Sequence, residues 1–158
     1  MLYPEFSKIG FKSKLESPTT IGELNELQVP VQPAEFFRSI YRFDKSVAGL
    51  ASLANLPSGL VAYADNLCID LDSHTDLGAV YADGLRICAA LDKIRAKYQL
   101  WFSGGKGFHI SIPTSQFGFE PTADEGILKR MAEAIVGSSP FFDPSIYNKT
   151  RIFRYPNT

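Results

Sequence analysis

The chain has 158 residues, of which 45% are hydrophobic and 21% are charged. These fractions are ordinary for a globular protein, so they exclude a disordered or fibrous chain, and the length suits one domain with at most a small appendage. Seventeen acidic and sixteen basic residues leave a net charge of −1, which excludes a strongly basic nucleic-acid-binding chain but allows a local basic groove.

The cysteines and the apolar residues restrict the setting of the protein. Cys68 and Cys88 are too few for a disulfide scaffold or an all-cysteine zinc site, and the sequence has no Cys/His cluster. No apolar run approaches the roughly 18 residues of a membrane span, and the N-terminus lacks the features of a signal peptide. We therefore expect a cytoplasmic protein with no zinc site and no membrane partner.

Charge is unevenly distributed along the chain. Five acids and no base lie within residues 65–83, and four bases and no acid lie within residues 93–106. The tail from residue 144 to residue 158 carries three bases and no acid. An acidic centre with basic segments on either side suits a site for metal ions and the anion that they neutralise. Solvated helix faces and loops would give the same pattern.

The first half of the chain is predicted to contain one helix and two strands. Residues 1–33 contain four prolines and weak periodicity, which predicts a loop or a loosely attached arm. The segment Ala34–Phe43 is predicted to be a short helix that begins after Pro33. Two β-rich segments follow an irregular stretch, at Leu60–Ala64 and Leu67–Asp72.

A longer helix is predicted after the second of these strands. Ser73 and Asp76 form a capping box, and the helix is expected to end near Lys97. Apolar residues at helical spacing predict its buried stripe. They are Leu77, Tyr81, Leu85, Cys88, Leu91 and either Ile94 or Arg95.

Further strands and a second helix complete the predicted order. Thr122 and Glu125 form a capping box for a helix that ends at Gly137. Extended segments are predicted at Tyr98–Phe102, Phe108–Pro113, Phe141–Asp143 and Arg151–Tyr155. The first two are joined by a glycine-rich turn, which makes them a hairpin. The order predicts a mixed α/β fold of the α+β type, with a sheet that is at least partly antiparallel.

The predicted strand at residues 67–72 carries two acids on one face. Alternate side chains of a strand share a face, so its leucine and isoleucine side chains point into the core while Asp70 and Asp72 point the other way. Two carboxylates about 7 Å apart repel each other unless a cation lies between them, and Mg²⁺ and Mn²⁺ prefer such oxygens. The structural alternative is that Asp72 begins a turn and Asp70 is exposed. A phosphatase motif DxDx(T/V) does not fit, because His74 occupies its fifth position.

The segment Ser103–Ile110, SGGKGFHI, combines three glycines with a lysine and a histidine. Glycines let the backbone approach a ligand and aim N–H groups at an anion, and Lys106 adds positive charge. Alternation in the following strand places His109 on its polar face. The glycine spacing fits neither a Walker A loop nor a G-x-G-x-x-G motif. The structural alternative is a plain glycine hairpin with an exposed histidine.

A third group of polar residues lies near the end of the chain. Asp143 follows two aromatic residues, whose rigid surroundings would let it complete a metal site. Arg151 and Arg154 suit the bidentate recognition of phosphate. The structural alternative is that Asp143 and Pro144 only start a turn.

In this order and spacing, the three segments resemble the motifs of the archaeo-eukaryotic primase (AEP) superfamily: a DxD/E on a strand, an sxH, and a single acid after a hydrophobic residue. The SGGKGFHI segment is also similar to the polymerase domain of bacterial end-joining ligases. The segments FFRSIYRF and RIFRYPNT resemble phage and plasmid primase-polymerases. The resemblance covers residues 34–158 and leaves residues 1–33 as an N-terminal arm. It implies an AEP-type catalytic core in which an RRM-like mixed sheet carries the site, beside an N-terminal α/β portion.

The resemblance implies a DNA primase or DNA polymerase activity, in which a nucleotidyltransferase joins nucleotides to a 3′-hydroxyl on a DNA template. Asp70, Asp72 and Asp143 would be the catalytic residues and would bind two Mg²⁺ or Mn²⁺ ions. The incoming nucleotide would be held by Ser103, Gly104, Lys106, His109, Arg151 and Arg154. The implied partners are DNA template and primer, NTP or dNTP, and a helicase or accessory domain.

Members of the superfamily usually continue beyond the third motif, whereas this chain stops at Thr158. We therefore expect a core shortened at its C-terminus, which binds metal and nucleotide but binds DNA weakly and extends primers poorly. Two other functions stay open: a nucleotide- or nucleic-acid-binding module of the same fold without turnover, and a phosphate-binding metabolic enzyme of unrelated fold. The motifs are compatible with both sugar series, and with primer synthesis as well as extension.

Overall fold

A computed structural model describes residues 7–11, 21–23, 37–43, 56, 59–124, 126–148 and 151–154. These residues form a mixed α/β structure with two antiparallel sheets and two helices, which confirms the predicted α+β class at this coarse level. The chain divides into two compact units. The first comprises Met1–Ala64, Glu120–Ala123 and Lys149–Thr158, and the second comprises Asp65–Phe119 and Asp124–Asn148.

The first unit contains a five-stranded antiparallel sheet. Its strands are β1 (Ser7–Phe11), β2 (Ile21–Glu23), β3 (Phe37–Phe43), β4 (Ala62–Tyr63) and β8 (Ile152–Arg154). Their order is β2-β1-β3-β4, and β8 also pairs with β3. Two strands thus lie within residues 1–33, where the sequence predicted a loop or arm. The boundary at residue 34 between arm and core stays a prediction.

The predicted helix at Ala34–Phe43 is wrong, because residues 37–43 form the strand β3. Alternate side chains from Ser39 to Phe43 are buried, and the two between them are half-buried. This is the period of two that a strand requires, and aromatic side chains favour it. Pairing with β1, β4 and β8 therefore outweighs the local signal for a helix start.

The second unit contains a three-stranded antiparallel sheet in the order β5-β7-β6. Its elements are β5 (Asn66–Asp72), α1 (Leu77–Lys93), β6 (Gln99–Phe102), β7 (Gly107–Pro113) and α2 (Gly126–Val136). The hairpin predicted from the glycine-rich turn is confirmed as β6 and β7. Every strand pair in the described ranges is antiparallel, so the predicted mixed sheet is replaced by two wholly antiparallel ones.

One face of the second sheet forms the core of its unit. The side chains of Leu67, Ile69 and Leu71 in β5 are fully buried, as are those of Ile110 and Ile112 in β7. Both helices contact β5, and α1 also contacts β7. Burial of each such side chain contributes about 1.5–3 kcal/mol, so this face fixes the register of the strands and decides which residues point the other way.

The buried stripe of the helix α1 matches the predicted one only in part, at Cys88 and Leu91. Its buried residues are Val80, Gly84, Ile87, Cys88 and Leu91. Of the predicted stripe, Leu77, Tyr81 and Leu85 are 41–46% exposed. A Cβ atom at Gly84 would lie 3.6 Å from Cδ1 of Leu71, so the helix turns its smallest residue toward the sheet. The partly exposed Tyr81 still contacts the sheet, since its ring lies 5.2 Å from that of Phe108 of β7.

The ends of α1 also differ from the prediction. Its N-cap is Asp76, whose carboxylate accepts a hydrogen bond from the N–H of Ala79 at 2.8 Å. Ser73 instead accepts from the N–H of Asp76 at 3.2 Å, within the turn that precedes the helix. The helix ends at Lys93 rather than near Lys97, because the chain turns back with a positive φ of 56° at Arg95.

The helix α2 ends before Gly137 as predicted, since that glycine has a φ of 62°. At its start, Asp124 rather than Thr122 accepts a hydrogen bond from the N–H of Gly126, at 2.9 Å. Thr122 forms an isolated bridge with Ala62 instead, and the predicted capping partner Glu125 lies outside the described residues. Neither helix in the described part of the chain is long and apolar enough to cross a membrane.

Candidate active site

The face of the second sheet opposite its core carries a row of polar and aromatic side chains. Asp70 of β5 lies directly opposite His109 of β7, and His109 lies opposite Trp101 of β6. Paired residues on neighbouring strands share a face, so these three side chains stand side by side. Asp72 lies on the same face one pleat further along β5, opposite Gly107. Burial of the alternate residues of β5 places both acids as the sequence predicts.

Backbone pairing brings Asp143 to the same edge of the sheet. Residue 142 forms a bridge with Leu71, the N–H of Asp143 donates to the carbonyl of Asp70 at 3.0 Å, and the N–H of Asp72 donates to the carbonyl of Phe141 at 2.9 Å. Asp143 thus lies next to Asp70 and extends the row to four residues. Its carboxylate accepts from the N–H of Ser145 at 2.8 Å and caps a short 3₁₀ turn. The turn-starting role and the position in the row therefore coexist.

Asp70 is a buried acid, with 6% of its surface exposed. Nε2 of His109 lies 3.2 Å from Oδ1 of Asp70, which is within ion-pair distance. The two groups are not aligned as a hydrogen bond, however, and this oxygen has no hydrogen-bond partner among the described residues. A buried acceptor without a hydrogen bond costs about 1–3 kcal/mol, which is not explained by folding alone. The position suits an oxygen that binds a ligand.

Asp72 is more exposed and is paired with a base. Nζ of Lys106 lies 3.0 Å from Oδ2 of Asp72 and 3.3 Å from Nε2 of His74. The carbonyl of Lys106 accepts from the N–H of Ser73 at 3.0 Å, which ties the glycine-rich turn to the end of β5. The predicted phosphate-binding lysine and the predicted metal ligand are therefore direct neighbours.

The glycine-rich turn is closed by its first residue. Both the N–H and the hydroxyl of Ser103 donate to the carbonyl of Gly107, at 2.9 and 3.0 Å. Gly104 has a φ of 90°, a conformation that favours glycine. The hydroxyl proton of Ser103 is therefore used within the turn, and the turn holds Lys106 against Asp72.

The tightest constraint in this turn falls on Gly107, which the sequence did not single out as a site residue. A Cβ atom there would overlap the carbonyl of Leu71 and the carboxylate of Asp72. Only glycine lets β7 approach β5 this closely at the point where the acids lie. The close approach could be recognised only once the pairing of Gly107 with Asp72 was known.

Trp101 is the second residue that the sequence reasoning missed. It lies at the outer end of the row on the edge strand β6, with 39% of its surface exposed. Its signal was present in the sequence, because a hairpin centred on Gly105 places residues 101 and 109 opposite each other.

The two predicted arginines belong to the first unit. Arg151 is half-buried just before β8, and the backbone of Arg154 pairs with Phe37 of β3. Their assignment to phosphate recognition stays a prediction. The row on the second sheet is built without them, from Asp143, Asp70, His109 and Trp101.

The donor chemistry of the row fits a divalent cation, since carboxylate oxygens are preferred ligands of Mg²⁺ and Mn²⁺ and Asp70 offers a buried acceptor that has no hydrogen bond to any residue the structure describes. Within the described ranges, no three His, Cys, Asp or Glu side chains lie close enough together to hold a metal ion. The carboxylates of Asp72 and Asp143 are engaged by Lys106 and by Ser145. These two side chains would have to change partners for all three acids to bind one cation.

No protein-family model matches the chain, and neither a curated protein nor a solved structure matches it. A functional assignment therefore depends on the motifs and on the geometry of the row.

Proposed function

We propose that the chain is a primase-polymerase catalytic core of the AEP type, which joins nucleotides from NTP or dNTP to a 3′-hydroxyl on a DNA template. The observation that carries this proposal is the row itself. Asp143, Asp70 and His109 come from distant segments and lie side by side on one face of a sheet. The same segments carry the sequence resemblance, so the adjacency of these three residues supports the proposal.

The three acids are the proposed ligands of two Mg²⁺ or Mn²⁺ ions. When bound, such ions would supply the positive charge that activates the 3′-hydroxyl and stabilises the leaving pyrophosphate. Asp70 needs the least rearrangement for this role, since its buried oxygen has no hydrogen bond among the described residues. Asp72 and Asp143 would exchange Lys106 and Ser145 for the ions.

His109 is the proposed contact to the phosphates of the incoming nucleotide. It lies next to Asp70 in the row, so a phosphate held by its imidazole is adjacent to the metal ligands. An imidazole N–H can donate to an anionic oxygen, and the sheet fixes the Cα atom from which the ring projects. The closed turn at Ser103 and Gly104 supports this position by holding the start of β7.

In the proposed function, Lys106 would leave the carboxylate of Asp72 and bind a phosphate oxygen of the nucleotide. Its side chain is 47% exposed and its pair with Asp72 is near the surface, so the pair contributes at most about 1 kcal/mol and is easily broken. Once Asp72 has a different cationic partner, the ammonium group is free to bind a triphosphate oxygen. Arg151 and Arg154 stay proposed phosphate contacts, and a helicase or accessory domain would assist template handling.

The test of the proposed function is a DNA-templated incorporation assay. Labelled NTP or dNTP is supplied with Mg²⁺ or Mn²⁺, with and without a primer. We expect slow incorporation that requires both the template and the divalent ion, and incorporation without a primer would add primer synthesis to the activity. The absence of incorporation under all these conditions would contradict the proposal.

The nucleotide contacts have a test of their own. The variant His109→Ala is expected to weaken nucleotide binding more than DNA binding, and Lys106→Ala to do so more mildly, since a lysine is a point charge on a flexible stem. Calorimetric titration with dNTP and with DNA gives both affinities. Lys129→Ala is a matched control, because Lys129 is an equally exposed lysine that pairs with Glu133 on α2. A loss of DNA affinity without a loss of nucleotide affinity would show that the turn contacts the template instead.

A second candidate function is a nucleotide- or nucleic-acid-binding module of the same fold without turnover. The ion pair between Lys106 and Asp72 favours it, because the lysine neutralises one of the proposed metal ligands. Such a module would retard DNA in a mobility-shift experiment or bind nucleotide, yet give no extension with either metal ion.

A further inference from the structure

Trp101 occupies a position in the row that the proposed chemistry does not use. The row runs from Asp143 through Asp70 and His109 to Trp101, so the indole is the neighbour of His109 on the side away from the acids. The two rings are 5.8 Å apart between centroids and meet at 86°, edge to face. The indole is 39% exposed.

The next residue of β6 shows that this position is not an extension of the apolar core. Phe102 points to the opposite face, where its ring lies 5.5 Å from that of Phe108, which in turn lies 5.2 Å from Tyr81 of α1. Phe102 thus belongs to an aromatic cluster between sheet and helix. Trp101 stands on the polar face, beside a histidine.

We propose that Trp101 is a stacking platform for the nucleobase of the nucleotide whose phosphates contact His109. The proposal rests on the proposed function for the phosphate position at His109. A nucleotide placed with its phosphates at His109 and beside Asp70 has its base one sugar away. The outer end of the row is the direction that leads away from the metal ligands. An exposed indole there offers the flat apolar surface on which bases of any sequence stack.

The chain itself supplies the probe, because Trp101 is its only tryptophan. Intrinsic fluorescence of the whole protein is measured during titration with dATP, with inorganic triphosphate, and with single-stranded oligo(dT), each with Mg²⁺. We expect dATP to quench the emission at saturation and inorganic triphosphate, which lacks a base, to leave it unchanged. Unchanged emission with bound dATP would overturn the proposal, as would quenching by oligo(dT) but not by dATP, which would assign the platform to the strand.

Variants separate stacking from a structural role. Trp101→Ala is expected to weaken dATP binding about tenfold, within the range measured for loss of base–aromatic stacking, and Trp101→Phe to retain most of the affinity. Affinity for inorganic triphosphate is expected to stay unchanged in both variants. Phe102→Ala is the matched control, an exposed aromatic on the same strand but on the other face, and should leave dATP affinity and quenching unchanged. Equal losses for dATP and triphosphate in Trp101→Ala would show a structural role and refute the platform.

The outcome is independent of whether the chain extends primers. Quenching by dATP together with an absence of extension would support the platform and remove the polymerase proposal. Primer extension by Trp101→Ala with an unchanged KM for dATP would remove the platform and leave the polymerase proposal standing.

Discussion

The two faces of the second sheet belong to the same three strands but differ in the surroundings of their buried side chains. On one face, Leu67, Ile69 and Leu71 of β5 are fully buried, and both helices contact this strand. On the other face, the alternate residue Asp70 is also buried, yet its Oδ1 has no hydrogen bond among the described residues. The first face is what a folded chain needs, whereas the second carries a cost that folding does not explain.

This difference separates residues that stabilise the fold from residues of the proposed site. An acid at a buried position opposes folding unless its oxygens are satisfied, and Oδ1 of Asp70 has the imidazole of His109 at 3.2 Å but no hydrogen bond among the described residues. Gly107 lies at the same place, where the carbonyl of Leu71 and the carboxylate of Asp72 leave no room for a Cβ atom. Both features occur on the face that carries the row, and both are expected where a site has to accept a ligand. Substitutions of apolar residues on the core face should therefore reduce stability, whereas substitutions of the acids in the row should reduce activity.

The largest expected effect is on catalysis, at Asp70. The variant Asp70→Asn should reduce primer extension by about 10²- to 10³-fold, because it removes charge at the proposed reacting centre. The midpoint of thermal unfolding should stay the same or rise, since a buried charge is removed. The extension rate tests the loss of catalysis, and the midpoint of thermal unfolding of the same preparation tests the effect on stability. Glu133→Gln is the matched control, an exposed acid of α2 whose only described ion pair, with Lys129, is on the surface.

Near-normal extension by Asp70→Asn with Mg²⁺ or Mn²⁺ would remove the metal-site assignment. A large loss of stability would instead show that the fold requires the carboxylate of Asp70.

The neighbouring residue Ile69 should behave in the opposite way. Its side chain is fully buried on the core face, so Ile69→Ala should lower the free energy of unfolding by about 2–5 kcal/mol. Urea denaturation measures this change. The fraction that remains folded should keep the KM for nucleotide of the unsubstituted protein. A rise in KM comparable to the loss of stability would mean that the two faces are not separable.

Two glycines of the turn sharpen the comparison on the polar face. A Cβ atom at Gly107 would overlap β5, so Gly107→Ala should lower the free energy of unfolding by about 1–3 kcal/mol and displace the acids. Gly105 has no atom within 4 Å of such a Cβ, so Gly105→Ala should change stability by less than about 0.5 kcal/mol. Denaturation of the two variants under identical conditions gives the contrast. Equal effects would show that close approach of β7 to β5 does not restrict this position.

Local periodicity was enough to predict the strands of the second unit. β5 and β7 alternate between apolar and polar residues, and the glycine-rich segment between β6 and β7 marks the hairpin. Periodicity failed for β3, because its aromatic-rich segment fits a helix or a strand until distant strands pair with it. It also misplaced part of the buried stripe of α1, since Gly84 contributes no hydrophobicity and yet lies close to Leu71 of the sheet.

The site could be predicted as a set of residue types but not as an arrangement. Asp70, Asp143 and His109 were singled out from the sequence, and their adjacency depends on backbone pairing between segments far apart in the chain. The pairing of Lys106 with Asp72 could not be predicted either, because the local sequence pattern does not indicate that the turn folds back on the end of β5. Long-range register therefore carries the information that local rules lack.

The smallest expected effect is a difference in reactivity between the two cysteines, which report on the two faces without altering either. Cys68 lies on the polar face of β5 and is half-buried, whereas Cys88 lies on the buried stripe of α1. Burial raises the pKa of the Cys88 thiol above its ordinary value, and this effect outweighs a hydrogen bond with Tyr98 that lowers it, while the nearby carboxylate of Asp92 raises it further. A raised pKa leaves less thiolate at a given pH, and thiolate is the form that alkylating reagents attack.

With iodoacetamide at pH 8, Cys68 should therefore react first, and Cys88 should react only at higher pH or after unfolding. Mass spectrometry of partly alkylated protein gives the order, and Cys68→Ser should abolish the first phase. Faster modification of Cys88 in the folded protein would show that α1 does not seal the core face as described.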